Sequence, residues 1–114
     1  MKQKKALKML SALAQDTRIN IYRLLVKEGE EGLSAGVVAD ILQVPAATLS
    51  FHLAQMTSAG LLKSHKIGRT VLYSAKQKAI KKLSEFLTED SYKSKNKKPS
   101  DTIIDAEDVN CDGD

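Results

Sequence analysis

The 114-residue sequence predicts a mainly α domain with a small β-hairpin, a winged helix-turn-helix in the order α-α-α-α-β-β-α, dimerising through its terminal helices. Three observations carry this expectation. Apolar residues recur at three- and four-residue spacings in five separate segments. Two of these segments are short and are joined by about three residues ahead of Pro45, the pattern of a helix-turn-helix. Between residues 61 and 74 the pattern changes to two short strand-like runs around a glycine.

Each element has a local reason. Lys2 to Ala14 places Leu7, Leu10 and Ala14 on one face, with Lys4, Lys5 and Lys8 elsewhere, so it reads as an amphipathic helix. Asp16 can cap a second helix, whose apolar set (Ile19, Ile21, Tyr22, Leu24, Leu25 and Val26) is too broad for one exposed face and marks it as central to the core. It ends in Glu28-Gly-Glu-Glu-Gly32, where two glycines and repelling carboxylates favour a loop. Ser34 can cap a short third helix with Val37, Val38, Ile41 and Leu42 on one side. Pro45 then opens a fourth helix running to about Ala59, with Gly60 as its stop. Leu61 to Lys66 and Thr70 to Ser74 form a hairpin with Gly68 in its turn. Lys76 to Glu89 carries Ala79, Ile80, Leu83, Phe86 and Leu87 on the stripe of a fifth helix. The domain is expected over residues 1–92, with a disordered, basic-then-acidic tail over 93–114.

Charge is divided unevenly along the chain. Residues 1–98 hold all 18 basic residues and 8 of the acids, for +10, while residues 99–114 hold the other 6 acids, for −6. A basic domain with an acidic tail points to a polyanionic partner. No apolar run approaches the roughly 18 residues of a membrane span, so no membrane role is expected. Met1 to Gln15 imitates a secretion signal, but Lys8 interrupts its short apolar region, and the single Cys111 fits a reducing cytoplasm.

The fourth helix carries the chemistry. Leu49, Leu53 and Met56 must face inward, leaving Ala46, Ala47, Ser50, Phe51 and Gln55 toward solvent or a nucleic-acid groove. Small residues at its start allow close approach to a duplex, where backbone N–H groups meet phosphate. Ser50 and Gln55 can hydrogen-bond bases or phosphate, and Phe51 can touch thymine methyls unless the helix is rotated and buries it. Thr48 belongs to the same candidate set. His52 adjoins the inward row and reads equally as a structural histidine or a DNA contact. In the hairpin, Lys66, Arg69 and Thr70 flank the turn and can reach phosphates or the minor groove, or else form a solvated tip.

Three stretches together resemble the ArsR/SmtB family of repressors. Ala47-Thr-Leu-Ser-Phe-His-Leu-Ala-Gln-Met-Thr-Ser-Ala-Gly-Leu-Leu62 is similar to its S-x-H-L…AGL recognition segment, Leu10-Ser-Ala-Leu-Ala-Gln-Asp-Thr-Arg-Ile19 to its lead-in to the second helix, and Gly68-Arg69…Tyr73 to its wing. The resemblance spans about residues 5–90. It implies that Ala46, Ala47, Ser50 and Phe51 lie at double-stranded DNA. It also implies a homodimer reading an inverted repeat. Relatives often carry polar side chains where this chain has two alanines and a phenylalanine, so shape and phosphate contacts should outweigh direct base hydrogen bonds. The terminal stripes (Leu7, Leu10 and Ala14 with Ile80, Leu83, Phe86 and Leu87) are the expected dimer surface, unless both helices fold back on their own domain.

Members of the family usually sense a metal, a metalloid or a redox signal, and no such site is legible here. A soft-metal site needs two or three thiolates, and only Cys111 is present. A zinc site across paired fifth helices needs histidine with carboxylates, and that helix has Glu85, Glu89 and Asp90 but no histidine. Asp108 to Asp114 matches the first seven positions of a calcium loop but lacks the twelfth-position Glu, so it reads as an acidic segment. No metal or cofactor is expected, and the inducer stays unidentified. Nor is an enzyme expected, because Ser50 and His52, two apart on one helix, point to different faces. The alternatives are a winged-helix protein-interaction module and a metal-responsive repressor with an unrecognised site.

Overall fold

The computed structural model describes residues 1–89, as five helices and a three-stranded sheet. The helices are α1 (Gln3–Leu13), α2 (Asp16–Glu28), α3 (Ala35–Leu42), α4 (Ala46–Ser58) and α5 (Gln77–Thr88). The strands are β1 (Leu33–Ser34), β2 (Leu62–Ile67) and β3 (Thr70–Ala75), in the spatial order β1-β3-β2 and antiparallel throughout. This is the expected winged helix-turn-helix. The tail expected over 93–114, with Cys111 and the calcium-loop-like sequence, lies outside the described residues.

A single core joins the helices to the foot of the hairpin. Met9, Ile21, Leu25, Val38, Leu49, Met56 and Leu61 are wholly buried. Each side chain of this size stabilises the fold by about 1.5–3 kcal/mol on burial. The inward face of α1 consists of Ala6, Met9 and Ala12, a row that leaves Leu7, Leu10 and Ala14 outside. Three details differ from expectation. The cap of α2 is Gln15, whose side chain accepts from the Arg18 N–H at 3.0 Å, and Asp16 is instead the first helical residue. On α3 only Val38 is wholly buried; Val37 and Ile41 stay exposed because this two-turn helix packs along one narrow edge. Ile19 of α2 is likewise exposed.

The third strand is the element the sequence does not announce. Leu33 pairs with Tyr73 and Ser34 with Leu72, and Ser34 is also the cap of α3, its Oγ accepting from the Val37 N–H at 3.3 Å. One residue therefore ties the wing to the first helix of the helix-turn-helix. The close approach depends on Gly32 (φ +78°), where any Cβ would collide with the Tyr73 carbonyl.

Candidate nucleic-acid interface

Two backbone devices aim α4. The chain between α3 and α4 turns at Gln43, which takes the left-handed conformation (φ 57°), and Pro45 then holds φ at −58° as the cap of α4. The two helix axes bend by 115° across this turn, within the usual helix-turn-helix range of about 90–120°. At the far end, Leu61 N–H donates to Met56 O and Gly60 N–H to Thr57 O, a Schellman closure with Gly60 at φ +86°. Leu49, Leu53 and Met56, at most 1% exposed, fix its rotation.

That rotation presents Ala46, Ala47, Thr48, Ser50, Phe51 and Gln55 outward, all exposed. Phe51 is 58% exposed, so it is no core residue. Pro45 supplies no side-chain cap to the first turn, so the N–H groups of Ala46, Ala47 and Thr48 have no capping acceptor among the described residues. Two of these three positions carry only a methyl, and the partial positive charge of the helix start is directed at whatever lies there.

His52 differs from its neighbours. It is 7% exposed, and its Nδ1 accepts a hydrogen bond from Arg18 Nε at 2.9 Å. Of the two readings open for His52, its burial and hydrogen bond favour the structural histidine over the DNA contact: at one position past the exposed Phe51, the helix turns this side chain toward α2. Arg18 completes the arrangement. Its guanidinium lies 5.9 Å from the centre of the Phe51 ring, within cation–π range, and Nη1 donates to Ala12 O at 3.4 Å. Arg18 therefore links α1, α2 and α4. Sequence reasoning missed it, and its only signal was its place in the Asp16-Thr17-Arg18 stretch of the lead-in motif.

Burial first, and the Arg18 charge second, push the His52 pKa below its ordinary value near 6.5. The folded state therefore holds His52 neutral at a pH where the unfolded chain already protonates it. Stability from this group is complete above about pH 6.5 and is lost as pH falls toward the lowered folded pKa. Thermal melts at pH 8 and pH 5 should show a larger drop in Tm for the parent than for His52→Gln, which does not titrate; equal drops would sink the coupling.

The wing is a hairpin with a two-residue turn, Gly68 (φ +66°) and Arg69, closed by the Ile67–Thr70 pair. Lys66, Arg69 and Thr70 are all exposed, and Ile67 is 61% exposed at the tip. The expected pairing surface is only partly free. Leu7, Leu10, Ala14 and Leu87 are exposed, Ile80 and Phe86 are half-buried, and Leu83 is 5% exposed within the core of its own chain. Leu83 is accordingly removed from the pairing stripe, because α5 turns that residue onto its own domain. Among the described residues no group of three or more His, Cys, Asp or Glu side chains is placed to hold a metal ion, and no single helix is long and apolar enough to cross a membrane.

Comparison with known proteins matches this geometry. The sequence profile of a helix-turn-helix domain family matches residues 13–65. The cadmium resistance transcriptional regulatory protein CadC homolog of Staphylococcus aureus is 38% identical over 78 residues, covering 68% of this chain; the match spans 63% of that relative's length. The transcriptional activator HlyU of Vibrio cholerae is 31% identical over 83 residues, which cover 73% of this chain and 74% of that protein. Among solved structures, the ArsR-like transcriptional regulator from Rhodococcus sp. RHA1 superposes with a TM-score of 0.65 at 28% identity, covering 74% of this chain and 76% of that one.

Proposed function

The chain belongs to the ArsR/SmtB family of helix-turn-helix transcriptional regulators, and from that premise we propose that it is a cytoplasmic, homodimeric repressor that reads an inverted-repeat operator. The observation that carries the reading is the outward face of α4, with small residues at an uncapped helix start and every large aliphatic of that helix turned inward. A helix built this way can enter a major groove until its backbone N–H groups reach phosphate. Ser50 and Gln55 then meet base edges, Phe51 meets thymine methyls, and Lys66, Arg69 and Thr70 lie on the flanking backbone. Leu7, Leu10 and Ala14 of α1, with Leu87 and the half-buried Ile80 and Phe86 of α5, supply the apolar surface a second copy would cover. A two-fold dimer then places its reading helices on half-sites about one helical turn apart.

The wing and the reading helix separate in a simple experiment. Arg69→Ala should weaken binding to every duplex alike and reduce the slope of log affinity against log salt by about one. Ser50→Ala should cost more on the cognate site than on random DNA. A Ser50→Ala loss that is equal on both would remove base readout from that residue. The exposed Phe51 ring also suits a protein-docking face, and salt decides between the two: association with a protein through an apolar ring resists added salt, while phosphate binding falls steeply.

A further inference from the structure

A cleft lies near the C-terminal end of α4, away from Ala46 and Ala47 at its start. With a volume of about 550 Å³, it opens between α1, the loop after α2, the foot of the hairpin and the start of α5. Its size falls within the 300–1,000 Å³ typical of small-molecule sites. Five lysines, Lys5, Lys63, Lys76, Lys78 and Lys82, are among its lining residues, against a single acid, Glu30. None of the five donates a side-chain hydrogen bond among the described residues. The exposed Met1 and the half-buried Ala75 and Ala79 contribute apolar surface to the same space, with the buried Met9 behind them.

The walls are held in place. Lys76 N–H donates to Leu61 O at 2.8 Å, Tyr22 Oη donates to Lys76 O at 3.1 Å, and Lys5 lies against Gly60. Burial pushes the Tyr22 phenol above its ordinary range, so this donor stays protonated. The first turn of α5 has neither an acidic residue nor a capping side chain, so the cleft's positive charge is unopposed there as well. Five lysines around one cleft place like charges on its walls, and a bound multivalent anion would offset them. The 13 residues of α4 span about 20 Å, which separates this cleft from Ala46 and Ala47.

We propose that this cleft is an effector site for a small organic polyanion, a di- or tricarboxylate or a phosphorylated compound, with its charged groups on the lysines and its carbon portion on Met1, Ala75 and Ala79. Such a ligand bridges the pairing helices α1 and α5 and the roots of both wing strands, the parts whose relative placement sets the spacing of two reading heads. The effector role rests on the DNA-binding reading above. Ligand binding itself does not, so the two can fail separately.

The test is calorimetry on the full chain at low ionic strength with citrate, with inorganic phosphate as a second probe and sodium chloride as the ionic-strength match. Citrate should bind saturably, at least tenfold more tightly than phosphate, which cannot use the apolar surface. The Lys76→Gln/Lys82→Gln variant should lose at least tenfold in citrate affinity while its DNA affinity without citrate stays within about twofold of the parent. Citrate should also change the DNA affinity of the parent beyond the chloride match and leave that of the variant unmoved. Absence of saturable binding, or binding undiminished in the variant, overturns the site. A variant that loses DNA affinity by itself makes the cleft part of the DNA surface, and saturable citrate binding that leaves DNA affinity unchanged overturns the effector role. If citrate binds only after the six acids of residues 99–114 are changed to amides, the cleft belongs to the chain's own acidic segment and the proposal falls.

Discussion

Ala47→Glu is expected to weaken specific DNA binding severely while leaving the fold at least as stable as before. Ala47 is exposed and is the second residue of α4, in a turn with no side-chain cap. A carboxylate there meets the positive end of the helix dipole and should stabilise the free protein by about 0.3–1 kcal/mol. Against a duplex the same carboxylate faces phosphate, and like-charge juxtaposition across an interface costs several kcal/mol, a fall in affinity on the order of 100-fold. Fluorescence anisotropy with an operator duplex and a thermal melt of the same preparation measure the two effects together. Lost binding with an unchanged or raised Tm places the first turn of α4 at the DNA. Retained binding would move the reading surface elsewhere.

The second large effect concerns stability. Gly32→Ala should lower Tm by more than Gly29→Ala, although both glycines have positive φ, +78° and +85°. A side chain at Gly29 meets nothing within 4 Å, so that variant reports backbone strain alone, on the order of 1–3 kcal/mol. A Cβ at Gly32 adds a collision with the Tyr73 backbone, whose carbonyl carbon would lie 2.9 Å away. Relief requires parting β1 from β3, which also loosens Ser34 and with it the cap of α3. The extra loss should be visible as a further drop of several degrees in Tm, since 1 kcal/mol shifts a domain of this size by about 4–8 °C. Equal drops for the two variants would show that β1 pairing is dispensable.

Much of this was legible because it is local. Gly60 and Gly68 mark positive-φ conformations that few other residues adopt, Pro45 cannot sit inside a helix and so marks the start of one, and Leu49, Leu53 and Met56 recur with the helical period, so the sequence alone orients α4 and places the hairpin. Non-local features were harder to read. β1 is two residues long and exists only because Tyr73 and Leu72 arrive from forty residues away, leaving no alternation to detect. The expected stripe of α5 was right in spacing but gave no sign that Leu83 packs into its own domain while Leu87 stays outside. His52 was ambiguous because its partner, Arg18, is 34 residues distant. The lysine cleft was invisible for the same reason: Lys5, Lys63 and Lys76 come from three parts of the chain.

The most direct test is an electrophoretic mobility shift with the full chain and the DNA upstream of its own gene, run at low salt and repeated with added salt and with a scrambled duplex. A retarded species holding two chains per duplex, lost steeply as salt rises and formed more tightly on the upstream DNA than on the scrambled sequence, is the predicted result. No retarded species at low salt, or one that salt leaves untouched, would contradict the assignment of this chain as a dimeric reader of double-stranded DNA.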